Sequence, residues 1–262
     1  MHKFHKISVL VTCAVLCGSG FWHWENNKKM EIGTKGIVGV IPESRQESEI
    51  DNISKEVQPV AVKGTEEKAT EKKNPTQVQI VVPFSSQAPL GQWDAFHEEA
   101  CEEASLLMLK YYLDGKTLTP EVAEKEIQTM LAYEIKHYGK YEDSDAQEIV
   151  RLAEDFYGLQ NLRVVYDFSQ EDLKKYLSLG RPIIVPAAGR LLGNPNFKAP
   201  GPLYHNLVLT GFDGSKIITN DPGTRKGQNY QYDVSVLYAA IHDFPGNLRD
   251  IEKGRKAMIV VE

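Results

Sequence analysis

Cysteine is scarce in this chain, which contains only three in 262 residues. Two of them, Cys13 and Cys17, fall in an apolar stretch near the N-terminus, so Cys101 is the single thiol in the remainder. One thiol cannot form a disulfide framework or a cysteine-rich metal site within a chain. The paired histidine or cysteine spacings of metal ligands are also missing, and we therefore expect neither a metal nor any other cofactor.

An excess of positive charge is missing as well, because the formal net charge is -6 at pH 7. Nothing in the composition suggests a basic surface, and we expect no nucleic-acid partner. The sequence has no Gly-x-Ser-x-Gly motif, which argues against a serine hydrolase. No internal repeat is present that would indicate a solenoid or a propeller.

The N-terminus has the pattern of an export signal. Lys3 and Lys6 precede an apolar stretch over residues 7–22, which corresponds to the charged and apolar regions of a signal peptide. The stretch is slightly short for a membrane span. We therefore expect residues 1–25 to be either a signal peptide or a single N-terminal membrane anchor. Both alternatives predict an extracytoplasmic protein that is secreted or anchored at the cell surface.

The next segment, residues 26–77, is rich in Glu, Lys, Ser, Gln and Thr and has no sustained apolar period. Such a composition cannot bury enough apolar surface to offset the entropy lost on ordering. We expect a disordered charged linker there, followed by one folded domain over residues 78–262.

Within that domain the sequence predicts helices first and strands later, which is typical of an α+β fold. The expected arrangement is a group of N-terminal helices packed on an antiparallel sheet. Predicted helices run from Cys101 to Leu113, Pro120 to Ile135, Ala146 to Tyr157 and Ser169 to Leu179. Predicted strands span residues 78–82, 162–166, 182–187, 204–212, 216–220, 230–232 and 257–261.

Cys101 begins a helix whose apolar face starts with the thiol. The positive end of the helix dipole favours the thiolate, which is the nucleophilic form of cysteine. Four acidic residues surround it, namely Glu98, Glu99, Glu102 and Glu103, and their charge would raise the pKa of the thiol. A buried cysteine that only packs in the core is the alternative.

His205 is the candidate partner of Cys101. It begins an apolar run that is joined through Asp213 and Gly214 to a second run, which indicates a β-hairpin. A three-residue loop from Asp213 to Ser215 would place Asp221 diagonally beside His205, whereas a two-residue loop would place Asn220 there. Either residue would supply the third member that a thiolate and an imidazole commonly use.

Taken in order, these residues resemble the peptidase C-39-like domain, a papain-like cysteine peptidase fold that is common in exported bacterial proteins. The motifs that carry the resemblance are Val82-Pro83-Phe84-Ser85-Ser86-Gln87, Cys101 at a helix start, His205 in a strand with Gly211-Phe212-Asp213 after it, and Asp221-Pro222. The resemblance implies four roles. Cys101 would be the nucleophile, His205 the general base and acid, Asp221 the orienter of His205, and Gln87 a donor to the oxyanion.

Two positions depart from the usual pattern of that family. Glu102 follows the cysteine where glycine is more usual, and Gln87 lies further before Cys101 than is typical, so Gln92 is a rival oxyanion donor. Trp93 lies in the loop between Gln87 and Cys101, where it either lines a cleft or packs within its own loop. His97 lacks a strand-borne carboxylate partner and is expected to be a surface histidine.

The sequence therefore predicts an exported cysteine peptidase or amide hydrolase that acts by thiolate acyl transfer. Its partner would be a peptide or protein substrate at the cell envelope, and we expect a monomer. The alternative is a catalytically inactive domain of the same fold that binds peptide or envelope polymer. In that alternative Cys101 is buried and the glutamate cluster serves solubility.

Overall fold

A computed structural model describes residues 75–262 of the chain. The predicted signal peptide or anchor, and nearly all of the predicted linker, lie outside the described residues. Within residues 75–262, no helix is both long enough and apolar enough to cross a membrane.

The described part contains seven strands, six α-helices and two short 3-10 helices. The helices are α1 (Ala95–Glu98), α2 (Cys101–Leu113), α3 (Pro120–His137), α4 (Ala146–Tyr157), α5 (Gln170–Ser178) and α6 (Val234–Ala240). The strands are β1 (Gln77–Gln79), β2 (Leu162–Tyr166), β3 (Ile183–Ala188), β4 (Tyr204–Asp213), β5 (Lys216–Asn220), β6 (Tyr230–Asp233) and β7 (Ala257–Val261). The 3-10 helices span Gly189–Leu192 and Leu248–Lys253.

All strands belong to one antiparallel sheet in the order β2-β7-β3-β4-β5-β6, and β1 pairs with β4. β4 is buried along almost its whole length, and α2 packs directly against it. The core fills the space between the helices and this sheet. The α+β architecture predicted from the sequence is confirmed.

Helix boundaries follow local capping signals. α4 begins at a capping box, in which the Asp145 side chain accepts from Glu148 N–H while the Glu148 side chain accepts from Asp145 N–H, and it ends at Gly158 in the left-handed conformation. α3 begins with Pro120 after the capping Thr119. These ends match the predicted ones, although α3 continues past Ile135 to His137.

Other elements differ from the predicted ones. The first strand is shorter than residues 78–82, because the chain leaves the sheet after Ile80 N–H donates to the Thr210 carbonyl at 2.7 Å. The short helix α1 forms where the sequence suggested only a loop, since Asp94 caps it by accepting from the backbone N–H groups of Phe96 and His97. α6 also lacked a sequence prediction.

The β4–β5 hairpin has a two-residue turn, but not the register that was predicted for one. Its turn is the two residues after Asp213, which pairs with Lys216, and a bulge between Leu209 and Gly211 then shifts the pairing so that Val208 faces Asn220. The register near His205 is therefore the one expected from a three-residue loop. This register brings Asp221, and not Asn220, to His205.

Candidate active site

Cys101 is the first residue of α2 and is buried against the start of β4. The backbone N–H of Asn206 on β4 is close enough to the sulfur to lower the pKa of the thiol. Its proton is donated to Glu102, with 2.9 Å between Sγ and Oε2. Packing of α2 on β4 therefore places the thiol beside the strand residue that follows His205.

His205 and Asp221 form a buried pair. The imidazole Nε2 lies 2.8 Å from Asp221 Oδ1, and both side chains are inaccessible to solvent. The ring of His205 packs edge-on against Phe197, and a Cβ added to Gly223 would lie 2.9 Å from the imidazole Cε1. Because only glycine leaves that space, the turn after β5 can approach the ring closely.

Asp221 receives hydrogen bonds on both carboxylate oxygens. Oδ1 also accepts from Gly223 N–H at 3.0 Å, and Oδ2 accepts from the Tyr232 hydroxyl at 2.6 Å and from Asn194 Nδ2 at 3.1 Å. Burial acts to raise the pKa of Asp221, but the His205 charge and these donors outweigh it, and the pKa lies below its usual value. Asp221 is thus fixed as a carboxylate that holds Nε2 of His205.

Cys101 and His205 line the same cavity, which has a volume of about 950 Å³. Because Nε2 of His205 is held by Asp221, Nδ1 is the ring nitrogen left to receive a proton. No hydrogen bond joins Cys101 to His205 among the described residues, since the thiol proton is directed to Glu102. The two predicted reactive groups therefore line one cavity without a hydrogen bond between them.

The surroundings of Cys101 favour the thiol over the thiolate. Burial, followed by the charges of Glu102 and Glu103, raises the pKa of Cys101 well above its ordinary value, against a lowering by the Asn206 N–H. Burial likewise raises the pKa of Glu102 to about 8. The glutamate charges therefore raise the thiol pKa, as the sequence indicated, and burial raises it further.

Gln87 also lines the cavity, but its amide is engaged elsewhere. Nε2 donates to the carbonyls of His97 and Glu98, at 2.8 and 3.0 Å, and Oε1 is buried with no hydrogen-bond partner. The rival donor Gln92 is exposed and is not part of the cavity lining, whereas its neighbour Trp93 is. Both Nε2 hydrogens of Gln87 thus hold the turn that precedes Cys101.

The prediction of a surface position for His97 is wrong. Its side chain is 3 % exposed, with Nδ1 2.8 Å from Asp94 Oδ1 and Nε2 3.0 Å from Glu124 Oε1. The turn of α1 directs the ring toward α3, which supplies the second carboxylate. His97 thereby joins α1 to α3 just before the candidate nucleophile.

The glutamates after Cys101 are also not solvating groups. Glu102 is 3 % exposed and Glu103 is 1 % exposed, so the solubility role considered for this part of the cluster is wrong. Glu103 faces Glu134 of α3, and burial followed by the Glu134 charge raises the pKa of Glu103 well above its ordinary value. The first turn of α2 thus carries acidic side chains into the core.

Charged groups of opposite sign surround the cavity. Acidic residues come from the helical side and basic residues come from the loops of the sheet. The acidic group is Glu98, Glu99 and Asp143, and the basic group is Arg190, Lys198, Arg225 and Lys226. Within residues 75–262, no cluster of three or more His, Cys, Asp or Glu side chains is arranged to hold a metal.

Sequence reasoning missed two residues of this site, Asn194 and Tyr232. Asn194 follows a 3-10 helix and Tyr232 lies on β6, and both reach Asp221 only after the sheet has formed. No motif connects these positions to His205 in the sequence. Only the polar Tyr230-Gln231-Tyr232 strand gave a signal, and it indicated secondary structure alone.

Comparison with solved structures gives three similar proteins. A C39-like peptidase from Bacillus anthracis is 18 % identical, with a TM-score of 0.47, and the match covers 71 % of this chain and 98 % of that chain. A double glycine motif protease from an AMS/PCAT transporter, solved with its leader peptide, is 19 % identical, with a TM-score of 0.37 and coverages of 70 % and 91 %.

The third is the peptidase domain of Streptococcus ComA, a bifunctional ABC transporter involved in quorum sensing. It is 16 % identical, with a TM-score of 0.35 and coverages of 69 % and 98 %. No curated protein matches this chain closely enough to give a relative.

The sequence itself matches the Peptidase_C39 like family over residues 79–243. That range includes Cys101, His205 and Asp221, and most of the helices and strands that position them. The match covers more than half of the chain and confirms the resemblance found in its motifs. With its helices packed on an antiparallel sheet in an α+β fold, this chain belongs to the Peptidase_C39 like family.

Proposed function

We propose that this chain is a cysteine peptidase or amide hydrolase in which Cys101, His205 and Asp221 carry the reaction. The observation that supports this most strongly is the buried His205–Asp221 pair at 2.8 Å, in the cavity that Cys101 also lines. Burying a carboxylate carries a desolvation cost, and an oriented imidazole is a function that would explain why this chain retains one. Here it holds one imidazole nitrogen and leaves the other for proton transfer.

In the proposed reaction, the thiol proton of Cys101 moves to Nδ1 of His205 and the thiolate attacks a substrate carbonyl carbon. The imidazolium then gives that proton to the leaving amine as the C–N bond breaks. Water next attacks the thioester carbon, its proton passes to His205, and the C–S bond breaks to release the acid. Throughout, Asp221 keeps the imidazole oriented and stabilises its charged form.

The charge that develops on the carbonyl oxygen needs hydrogen-bond donors. The first turn of α2 contains backbone N–H groups beside Cys101 that have no intrahelical acceptor. Gln87 can contribute as the family resemblance implies only if Nε2 gives up its bond to the carbonyl of His97 or of Glu98. We therefore propose that the Gln87 side chain moves on substrate binding and then donates to the carbonyl oxygen of the substrate.

Substrate and location are proposed from the sequence. The charged and apolar N-terminal pattern supports an exported, secreted or surface-anchored monomer that acts on a peptide-like substrate at the cell envelope. The cavity, with acidic groups on one side and basic groups on the other, suits a polar peptide more than an apolar ligand.

A second candidate function is a catalytically inactive domain that binds peptide or envelope polymer. The specific observation that favours it is the bond from Cys101 Sγ to Glu102, which keeps the sulfur protonated and away from His205. Under that alternative the His205–Asp221 pair would only stabilise the fold.

Replacing His205 by alanine separates these two functions. If His205 activates the thiol, iodoacetamide labelling of Cys101 near pH 7 should slow by about tenfold or more in His205→Ala, given the usual 10²–10⁴-fold effect of a positioned acid or base. Labelling is followed by mass spectrometry of the peptide that contains Cys101, and hydrolysis of a fluorogenic peptide mixture is followed in parallel.

His137→Ala is the matched control, because His137 is exposed at the end of α3. It should label at the wild-type rate. Equal labelling rates for the wild type and a folded His205→Ala chain would exclude the peptidase mechanism and favour the binding domain.

A further inference from the structure

Glu102 is a buried carboxylate that contacts the candidate nucleophile directly. Its Oε2 accepts the Cys101 thiol proton at 2.9 Å, and its Oε1 accepts from the backbone N–H of Ser144 at 3.1 Å. Both oxygens are therefore used, one on each side of the interface between α2 and the segment before α4.

The position of this carboxylate is fixed from a third element. The carbonyl of Ser144 accepts a 2.8 Å hydrogen bond from the Tyr204 hydroxyl, and Tyr204 directly precedes His205 on β4. A continuous set of contacts thus runs from Tyr204 through Ser144 and Glu102 to the sulfur of Cys101. Rotation of Glu102 away from the sulfur would leave a buried acceptor or donor without a partner, which is unfavourable.

A thiol has a single proton, so it can donate to one acceptor at a time. While the proton of Cys101 points to Glu102, it cannot be shared with Nδ1 of His205. In the observed arrangement the thiol proton is consequently not directed at the imidazole, although Cys101 and His205 line one cavity.

We propose that Glu102 is a positioning residue that holds the thiol proton of Cys101 away from His205 and so restrains the nucleophile in the resting site. This inference rests on the proposed peptidase function. Activation of the nucleophile requires the S–H bond of Cys101 to break and an N–H bond to form at Nδ1 of His205. The protonation state of Glu102 does not change in this step. A neutral group at position 102 permits this more readily than a carboxylate, since it does not repel the thiolate that forms.

The groups that face Glu102 define its electrostatic setting. Cys101 and Glu103 come from its own helix, Asp143 comes from the segment before α4, and Tyr204 comes from β4. Cations are missing from this set. Ionisation of Glu102 therefore adds repulsion against the thiolate, and the pKa of Glu102, raised to about 8 by burial, places that change within a measurable range.

The test is Glu102→Gln in the full chain. The amide keeps an acceptor for Ser144 N–H and can donate to the sulfur, but carries no charge. Iodoacetamide labelling of Cys101 is measured from pH 5 to pH 10. We expect a half-maximal pH lower by about one unit, which corresponds to one unit of thiol pKa. The two rates should differ little at pH 6, where Glu102 is mostly protonated, and by up to about tenfold above pH 8, where it is ionised.

Glu103→Gln is the matched control, because it removes a buried carboxyl from the same helix turn that faces Glu134 and not the sulfur. Its effect on the half-maximal pH should be clearly smaller. Circular dichroism and thermal unfolding establish that each variant is folded. An unchanged half-maximal pH in folded Glu102→Gln would overturn the inference.

If Glu102→Gln does not fold, the wild type still decides. The half-maximal pH of Cys101 labelling should then be higher in the folded chain than in the same chain unfolded by urea, and an equal or lower value would reject the restraint. Failure of the proposed function is separate, because it appears as a missing effect of His205→Ala. Faster Cys101 labelling in Glu102→Gln, together with no effect of His205→Ala on labelling, would contradict the peptidase mechanism but not the restraint by Glu102.

Discussion

At the scale of single residues, Asp221 shows how a buried charge is kept. It accepts from His205, Gly223, Tyr232 and Asn194, so each oxygen has two donors. A carboxylate removed from water is tolerated only when its acceptor capacity is filled in this way. The hydroxyl of Tyr232 makes the shortest of these contacts, at 2.6 Å.

We expect Tyr232→Phe to lower the free energy of unfolding by about 1.5–3 kcal/mol, the usual worth of a hydrogen bond to a charged group. It should also reduce the His205-dependent part of Cys101 labelling, because Asp221 then holds the imidazole less firmly. Urea unfolding and the labelling assay measure the two effects.

The neighbouring Tyr230 supplies a control on the same strand. Its ring packs on that of Tyr232, with 4.8 Å between the centroids, but it is not among the hydrogen-bond donors to Asp221. Tyr230→Phe should change stability by less than about 0.5 kcal/mol. Equal losses in the two variants would mean that the hydroxyl of Tyr232 does not stabilise Asp221.

Single residues also show what a sequence can and cannot reveal. Cys101 was identifiable because one thiol at a helix start is unusual, and His205 because it begins a strong apolar strand. His97 gave no such signal, since its burial depends on Asp94 and on Glu124, which lies on a different helix. A side chain whose partners come from distant elements cannot be placed by local pattern.

At the scale of elements, α2 combines a catalytic candidate with an acidic contact inside the core. Glu103 of α2 faces Glu134 of α3, and one buried carboxyl oxygen of each has no hydrogen-bond partner among the described residues. The folded-state pKa of Glu103 is raised by burial and by Glu134, so the folded chain holds protons that the unfolded chain has released above about pH 4.5. Stability contributed by the protonated pair is therefore complete at low pH and declines as pH rises.

Glu103→Gln should consequently raise Tm at pH 8 but leave it nearly unchanged at pH 4. A gain of roughly 2–4 °C is expected, the shift that about 1 kcal/mol produces in a domain of this size. Thermal unfolding at the two pH values measures it. Glu154→Gln, on the exposed side of α4, is the control and should show no such pH dependence.

A gain of the same size at both pH values would contradict the proton-sharing interpretation. It would then reflect better packing of the amide and not relief of charge repulsion.

The ends of α4 were among the most predictable boundaries of the fold. The capping box of α4 and the Gly158 that ends it are local features, and the sequence therefore predicted both ends of that helix. The β4–β5 turn was predicted less well, since the bulge between Leu209 and Gly211 offsets a shorter turn. That bulge arises where β1 packs closely on β4, as a Cβ on Gly211 would overlap the Val78 carbonyl. A contact of this kind is not visible from the hairpin sequence alone.

At the scale of the whole molecule, the segment from β1 to Gln87 connects the sheet to the site. β1 pairs with the end of β4, Asn220 Nδ2 then donates to the Val82 carbonyl at 3.0 Å, and Gln87 N–H donates to the Pro222 carbonyl at 2.9 Å. These contacts follow β5 toward Asp221. The segment thus supports the turn that carries the candidate orienter.

We expect a chain that starts at Pro75 to keep the stability of the domain and the His205-dependent labelling, since every described contact is retained. A chain that starts at Phe84 should lose both in part, because β1 and the Asn220 contact are removed. Thermal unfolding and Cys101 labelling compare the two truncations. Equal behaviour would show that this segment does not support the site.

The way the chain enters the domain has a spatial consequence. Thr76 accepts a hydrogen bond from Gly214 at the tip of the β4–β5 hairpin, whereas His205 lies near the opposite end of β4. At about 3.3 Å per residue, eight residues of strand separate these ends by about 26 Å. The described residues, which begin at Pro75, therefore enter the domain at the end of β4 that is remote from His205.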